Sequence, residues 1–382
     1  MLIHRVENVR SAQRCHAKRI VVAFILGLYS ALLALAPSRS SAAEVIQPKV
    51  LIFATYGPEF SPWVDGEHLD KAIVVPGVPH PIRTNGHGVY AMLCGTTSQS
   101  AVTIMALAMD RRFDLRHTYI ILSGIAGGDP TRVSLGSAVW VRHVVDGDPG
   151  YEIDSRETPA TWPYGVVAFG ATAPNRPAPP GSTGIGGDSY LAINVLPDSN
   201  PVQFVFNVNP ALLNWAYGLT KDLVLPNSTA MVTYASLFPR VEGRGGASVA
   251  GTPKPRVAIG DSLGGDRFWH GRIMTRWAED WVRNYTRGEG VFSVSDSEDQ
   301  GVFLAIGALQ RLGHVDAKRF LILRTISDYT EPPPGTSAAK HLFDGEPRSP
   351  AEASALESDY RVGSVVVDAL LRTWKSSVNV VP

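Results

Sequence analysis

The sequence predicts an α/β fold, a parallel or mixed sheet covered by helices, and three observations carry that prediction. Several apolar runs are too short for helices and are bounded by glycine, serine or proline: Lys49–Ala54, Tyr119–Leu122 and Arg319–Ile326. Runs of this kind read as strands buried on both faces. Ser100–Met109 has helical composition and separates the strand Val89–Leu93 from Tyr119–Leu122, and a right-handed crossover is expected of that order. Finally, Tyr119–Leu122 runs directly into Gly124, Gly127 and Gly128, after which a second strand, Ser137–Val145, carries the chain away. Glycines so placed let the backbone turn sharply and bring bare N–H groups to a ligand, or simply connect two strands.

The first element in order lies outside the fold. Arg5, Arg10, Arg14, Lys18 and Arg19 precede the apolar run Ile20–Ala36, and Ser41-Ala42-Ala43 offers a small-residue cleavage site before Glu44. Residues 1–43 therefore read as an export signal, with a single membrane anchor as the alternative, and the folded part is expected to be periplasmic or secreted. Residues 44–382 are expected to form one domain, since 382 residues at 45% hydrophobic content bury a large core. Lys+Arg and Asp+Glu balance at 35 each, so no net field favours nucleic acid or an anionic membrane. Cys94 is the lone cysteine after the leader, which excludes an intramolecular disulfide. No later apolar stretch approaches the roughly eighteen residues of a membrane span, which excludes a polytopic channel.

Strand Lys49–Ala54 ends in Thr55–Phe60, read as a turn that sets Glu59 just beyond the strand's C-terminal end, the edge where open α/β sheets bind ligands. Val89–Leu93 leads into Gly95-Thr96-Thr97-Ser98 and the helix Ser100–Met109, a hydroxyl-rich loop at a helix N-terminus suited to an anion or a hydroxyl group. From about 151 to 255 the pattern weakens into a long, proline- and glycine-rich insertion with helix candidates at Asn209–Leu219 and Ser228–Leu237. Order returns with the strand Arg256–Gly260, the helix Gly271–Asn284, the acidic run Asp296–Asp299 and the helix Val302–Leu312. Arg319–Ile326 then delivers Ser327-Asp328-Tyr329 to a loop before Pro332–Pro334. The closing helix Ala351–Trp374 has an apolar face at Leu356, Tyr360, Val367, Leu371 and Trp374, with Gly363 a weak point in its middle.

Functional side chains thus collect at strand ends and loops: Glu59, Thr96-Thr97-Ser98, Phe268 with Trp269, Asp328, and Glu298 at a helix start. Each has a plain structural reading as well. Asp328 fits an Asx turn, Glu298 a solvated helix start, Phe268 the core, and Glu59 an exposed loop acid.

Ser123-Gly-Ile-Ala-Gly-Gly128 with Leu135-Gly136 and Val139 resembles the glycine signature of the nucleoside phosphorylase and nucleosidase fold. Gly265-Asp-Arg-Phe268, Ser297-Glu298 and Arg324-Thr-Ile-Ser-Asp328 are similar to its later motifs, in the same order. Through Tyr151-Glu-Ile-Asp-Ser-Arg156, Glu298-Asp-Gln-Gly301 and Pro332-Pro-Pro-Gly335, the chain from Lys49 onward resembles the purine nucleoside permease family more closely. The resemblance implies a nucleoside phosphorylase-like fold, a central mixed sheet flanked by helices, around a purine nucleoside pocket. In it Asp328 matches the acid that assists protonation of the departing purine, Glu298 the carboxylate that holds the ribose hydroxyls, and Phe268 the aromatic that packs on the base. Glu59 stands where hydrolytic nucleosidases keep the carboxylate that activates water, and Gly127, Gly128, Thr96, Thr97 and Ser98 complete the expected contacts. These roles suit the chemistry, because breaking an N-glycosidic bond builds positive charge on the sugar and negative charge on the base.

Hydrolysis to free base and ribose is the leading expectation, since a phosphorylase needs cationic or multiple N–H donors for phosphate and no arginine adjoins the Thr96–Ser98 loop. The alternatives are a permease-type component that binds nucleosides for uptake, which calls for an inner-membrane transporter as partner, and phosphorolysis; a homo-oligomer stays open. No cofactor is expected. His68, His80 and His87 are scattered without metal-ligand spacing, so no metal site is expected either. Gly260-Asp-Ser-Leu-Gly264 fits a serine-esterase elbow, although no D-x-x-H follows Ser262.

Overall fold

The computed structural model describes residues 45–169, 171–177, 204–238, 254–286, 288–345 and 347–374. The export signal read at 1–43 and the glycine-rich run 181–187 lie outside the described residues. A ten-stranded mixed sheet forms the centre: β1 (Val50–Ala54), β2 (Lys71–Ile73), β3 (Ile82–Thr84), β4 (Val89–Leu93), β5 (Tyr119–Gly128), β6 (Ala138–Asp146), β7 (Val205–Asn207), β8 (Val257–Gly264), β9 (Phe292–Asp296) and β10 (Phe320–Tyr329). Seven α-helices accompany it among the described residues: α1 (Gly57–Gly66), α2 (Gln99–Met109), α3 (Pro210–Thr220), α4 (Thr229–Ala235), α5 (Arg272–Tyr285), α6 (Asp299–Arg311) and α7 (Glu352–Thr373). The expected mixed sheet flanked by helices is what the structure shows. Within the insertion read at 151–255, β7, α3 and α4 are regular, as are short antiparallel pairs at 150–152 with 166–168 and 171–173 with 176–177.

β1 is buried along its whole length and pairs in parallel with β4 and β5. β10 pairs in parallel with β5 and antiparallel with β6. Together with the pairs β6–β8, β8–β9 and β9–β5, these ladders close a ring of five strands. Closure leaves those strands without free edges, which suits the near-continuous apolar composition of β5 and β10.

Three local readings change. Thr55–Phe60 is not a turn: α1 begins at Gly57, and Glu59 sits in its first turn, where its carboxylate reaches back to accept from the Tyr56 N–H at 3.3 Å. The proline at 58 fits the first turn, where no intrahelical donor is lost. Gly124, Gly127 and Gly128 do not turn the chain, because β5 runs straight through them and none has positive φ. Gly124 and Gly128 are needed for close approach instead. A Cβ on Gly124 would lie 2.4 Å from Glu59 Oε1, and one on Gly128 would lie 2.5 Å from Val133 Cγ2. Asp328 belongs to β10 rather than to a following loop, at a bulge between Ile326 and Asp328 that sets it opposite Gly127.

The closing helix buries a stripe shifted from the expected face, with Tyr360, Leu371 and Trp374 half-buried against the core at its edge. Of the five residues expected there only Val367 is fully buried, while Ala355, Ser358, Asp359, Val362, Gly363, Val366 and Leu370 form the covered stripe. Buried Ser358 and Asp359 are polar, so the apolar pattern marks only one edge of the covered stripe. Gly363 is a contact rather than a weakness, since a Cβ there would stand 2.6 Å from the Trp63 ring. Gly301 likewise admits the Ser98 backbone, 2.9 Å from where its Cβ would be, and so lets the N-terminus of α6 meet that of α2.

Candidate functional site

A cavity of about 420 Å³ opens where the C-terminal ends of β1, β5, β9 and β10 converge. Glu59, Thr96, Gly127, Phe268, Glu298 and Asp328 all line it, so six of the nine residues singled out from sequence meet in one place. Thr97, Ser98 and Gly128 do not line it. Gly128 is taken up in strand pairing with Val294 and Tyr329. Thr97 and Ser98 are bound to acidic side chains, the first to Glu298 and the second to Asp266.

Glu59 is buried and its carboxylate is held on several sides. Oε2 accepts from the Thr55 N–H at 2.9 Å and the Thr55 hydroxyl at 2.7 Å, and Oε1 accepts from the Ile125 N–H at 2.8 Å. Such a carboxylate is fixed in position yet keeps an Oε1 lone pair for one more donor. The exposed-loop reading of Glu59 fails because α1 folds its first turn back onto β5.

Glu298 precedes α6 and is buried too, not solvated. Oε1 accepts from the Ser297 hydroxyl at 2.5 Å and the Thr97 N–H at 3.3 Å. Oε2 faces the Arg324 guanidinium at 3.3 Å. Arg324, given no role from sequence, is fully buried and also contacts Asp296 at 3.3 Å and Asp299 at 2.7 Å. One guanidinium thus meets three carboxylates. Burial pushes the Asp299 and Glu298 carboxyls up against the pull of Arg324, whereas at Asp296 burial is outweighed by Arg324 and surrounding donors and the carboxyl is held down. Its signal in the sequence was a basic residue in the middle of an otherwise apolar strand, which demands buried acids as partners.

Asp328 lines the cavity and is exposed to it. Desolvation raises its pKa from 3.8 to about 6, the Ser327 hydroxyl working against that shift and the Glu352 charge adding to it. Gly127 lies beside it, a Cβ there falling at an ordinary contact distance of 3.6 Å from Asp328 Oδ1. Phe268 is 82% exposed at the cavity rim, so the core reading fails for it. Its neighbour Trp269 takes the anchoring part instead, edge-on to Trp277 with centroids 5.5 Å apart.

The hydroxyl-rich loop before α2 is strained, with Gly95 at φ 85° and Thr97 at φ 60°. The Thr97 N–H and both donors of Ser98 are already matched. Asp266 Oδ1 accepts from the Ser98 N–H at 2.8 Å and from Gln300 Nε2 at 3.1 Å, and Oδ2 accepts from the Ser98 hydroxyl at 2.6 Å. Asp266, absent from the residues picked by sequence, therefore occupies the N-terminal end of α2 where an external anion would bind.

The esterase elbow is not one. Ser262 lies inside β8, fully buried, and its hydroxyl donates to Asp296 Oδ2 at 2.7 Å rather than to a histidine. Among the described residues no group of three or more His, Cys, Asp or Glu is arranged to hold a metal ion, and no helix is long and apolar enough to cross a membrane.

The chain is similar to a purine nucleoside permease of Candida albicans, 27% identical over 341 residues that cover 86% of this chain and 76% of the relative. It is also similar to a probable purine nucleoside permease of Schizosaccharomyces pombe, 26% identical over 87% of this chain and 91% of the relative. Among solved structures, a 5'-methylthioadenosine/S-adenosylhomocysteine nucleosidase from Neisseria meningitidis aligns with 84% of this chain and 98% of its own at 14% identity and a TM-score of 0.47, and no residue's role rests on that overlay. A family model described as purine nucleoside permease (NUP) matches residues 47–380, nearly the whole of the described part, and the chain belongs to that family.

Proposed function

We propose that the protein binds purine nucleosides in the cavity and cleaves the N-glycosidic bond by hydrolysis, giving free base and ribose. The observation that carries the reading is the meeting of Asp328, Glu59 and Glu298 around one cavity, each in a different environment. Asp328, with its pKa raised to about 6, supplies a proton to the purine as the C–N bond breaks. Glu59 accepts a proton from a water whose oxygen attacks the anomeric carbon, using the Oε1 lone pair left by its single bond to Ile125. Glu298 holds the ribose hydroxyls, and Phe268 at the rim covers the base.

Water is favoured over phosphate as the nucleophile because most of the anion donors near the cavity are already occupied, Thr96 being the loop residue left facing it. The Ser98 N–H and hydroxyl serve Asp266, and the Thr97 N–H serves Glu298. Arg324 is surrounded by carboxylates, and Arg267 at the rim pairs with Glu152 at 2.8 Å. A dianion entering here would meet the carboxylates of Glu59, Glu298 and Asp328, which line the cavity. The names of the curated relatives favour a second reading, binding for uptake without cleavage and with a membrane transporter as partner. We place either activity outside the cytoplasm on the strength of the leader read in residues 1–43.

Incubation of the protein with inosine and adenosine, with and without phosphate, discriminates these readings. Free ribose formed at a rate independent of phosphate supports hydrolysis. Ribose 1-phosphate would replace it with phosphorolysis, and tight binding without turnover would replace it with the carrier reading.

A further inference from the structure

Beside the acidic groups the cavity carries a chain of neutral hydrogen-bonding groups that the proposed reaction does not use. His270, just before α5, lines the cavity, and its Nε2 is 2.8 Å from Nδ1 of His341 in the turn Lys340–Asp344. The two rings are within 14° of parallel with centroids 4.7 Å apart. His341 Nε2 is in turn 2.8 Å from the hydroxyl of Tyr234 on α4. Three separate elements thus converge to fix one imidazole. Among the described residues nothing from the protein bonds to the remaining ring nitrogen, His270 Nδ1.

Burial lowers the His270 pKa to about 4, the neighbouring His341 adding to that effect, and burial lowers His341 as well, so both rings are neutral at pH 7. A chain of two neutral imidazoles and a phenol has two polarities, and the Pro347 backbone carbonyl, which also accepts from the His341 ring, weights them unequally. In one, Tyr234 donates to His341 Nε2 and His341 Nδ1–H donates to His270 Nε2, which leaves the His270 proton on Nδ1 as a donor. In the other, His270 Nε2–H donates to His341 Nδ1 and His341 Nε2–H donates to the Tyr234 oxygen, which leaves His270 Nδ1 bare as an acceptor. Each ring keeps one proton in both states, exchanged through solvent, so no charge is created. These three groups lie on the Asp328 side of the cavity. Tyr234 stacks on Tyr329 with centroids 6.3 Å apart, and its hydroxyl pKa is raised by burial and then by the charge of Asp328.

We propose that His270 Nδ1 reads the six-position of the purine, donating to a 6-oxo group and accepting from a 6-amino group, with His341 and Tyr234 as positioning residues that let its polarity reverse. The inference rests on the cavity being a purine nucleoside site. It makes the protein tolerant of both classes of purine, because the reader can change its hydrogen-bonding sense instead of being left unpaired by one of them, with a preference set by the Pro347 carbonyl on His341.

The test is binding of non-cleavable carbocyclic analogues of adenosine, inosine and purine riboside, the last lacking a six-substituent, to the wild type and to His270→Phe. The wild type is expected to bind the first two within about fivefold of each other and about tenfold more tightly than the third. His270→Phe should bring all three to the same affinity. In ¹⁵N NMR spectra the His270 Nδ1 resonance should be that of a protonated nitrogen with the inosine analogue and of a bare nitrogen with the adenosine analogue, and Tyr234→Phe should narrow that difference while the protein stays folded. If the wild type binds the analogues but His270→Phe leaves their ranking unchanged, or the Nδ1 resonance is the same in both complexes, the inference is wrong and the nucleoside site stands. If the wild type binds none of the three, the nucleoside site falls and the inference with it.

Discussion

Replacing Asp328 with asparagine keeps the side chain's size and its place opposite Gly127 but removes the proton that the departing base requires. With a pKa of about 6, the carboxyl is protonated in about nine molecules in ten at pH 5 and in about one in ten at pH 7. A raised pKa keeps the acid form at higher pH than an ordinary aspartate would, so kcat/KM should be high below about pH 6 and fall about tenfold for each further pH unit. Asp328→Asn should lower kcat by about 10²–10⁴-fold and abolish that alkaline limb, with KM little changed because an amide still hydrogen-bonds the base. Base release from inosine, followed between pH 5 and 8.5 in both proteins with melting curves as the folding control, measures this. A wild-type profile that is flat across the range, or a variant that keeps the limb or more than about a tenth of the rate, refutes the assignment of Asp328 as the acid.

Arg324→Met should destabilise the protein by about 3–5 kcal/mol in urea unfolding, because Asp296, Glu298 and Asp299 would remain buried without their cation. A loss below about 1 kcal/mol would mean that protonation already neutralises the cluster. Gly124→Ala puts a methyl group 2.4 Å from Glu59 Oε1, so Glu59 must move and cleavage should fall by about tenfold or more; full activity in this variant would remove Glu59 from the mechanism. Asp359, buried in α7 with its Oδ2 accepting from the Ser123 hydroxyl at 2.8 Å, has its pKa raised by burial from 3.8 to about 7. The native state holds that proton more tightly than the unfolded chain, so stability is unaffected below pH 3.8 and is lost as pH rises toward 7, by up to about 4 kcal/mol. Asp359→Asn should therefore gain on the wild type progressively between pH 4 and 7, and parallel stability curves would show that Asp359 titrates normally.

Much of the architecture was legible because burial writes itself into composition. Strands buried on both faces read as short apolar runs, which is why β1, β4, β5 and β10 were found, and why α2, α3, α5 and α6 could be placed from the helical stretches near them. The positions of Glu59, Phe268, Glu298 and Asp328 were legible for a different reason, since a parallel sheet gathers the residues beyond its strands' C-terminal ends along one edge.

Pairing between distant segments decided the rest. Arg324 read as part of an apolar strand, and nothing local says that Asp296, Glu298 and Asp299 close around it. The glycines of β5 read as a turn because a turn is the local use of glycine, whereas here the constraint is the Glu59 carboxylate and the Val133 side chain pressing from other elements. The buried stripe of α7 was only partly read because two of its positions, Ser358 and Asp359, are polar and are satisfied by Gly136 and Ser123. The sequence by itself determined the fold class, the strands and the acids at the sheet edge, since hydrophobic burial and strand length are properties of contiguous residues. Only the tertiary structure decided which donors those acids meet and that Asp266 fills the anion site, because a carboxylate's protonation and availability depend on groups brought to it from distant parts of the chain.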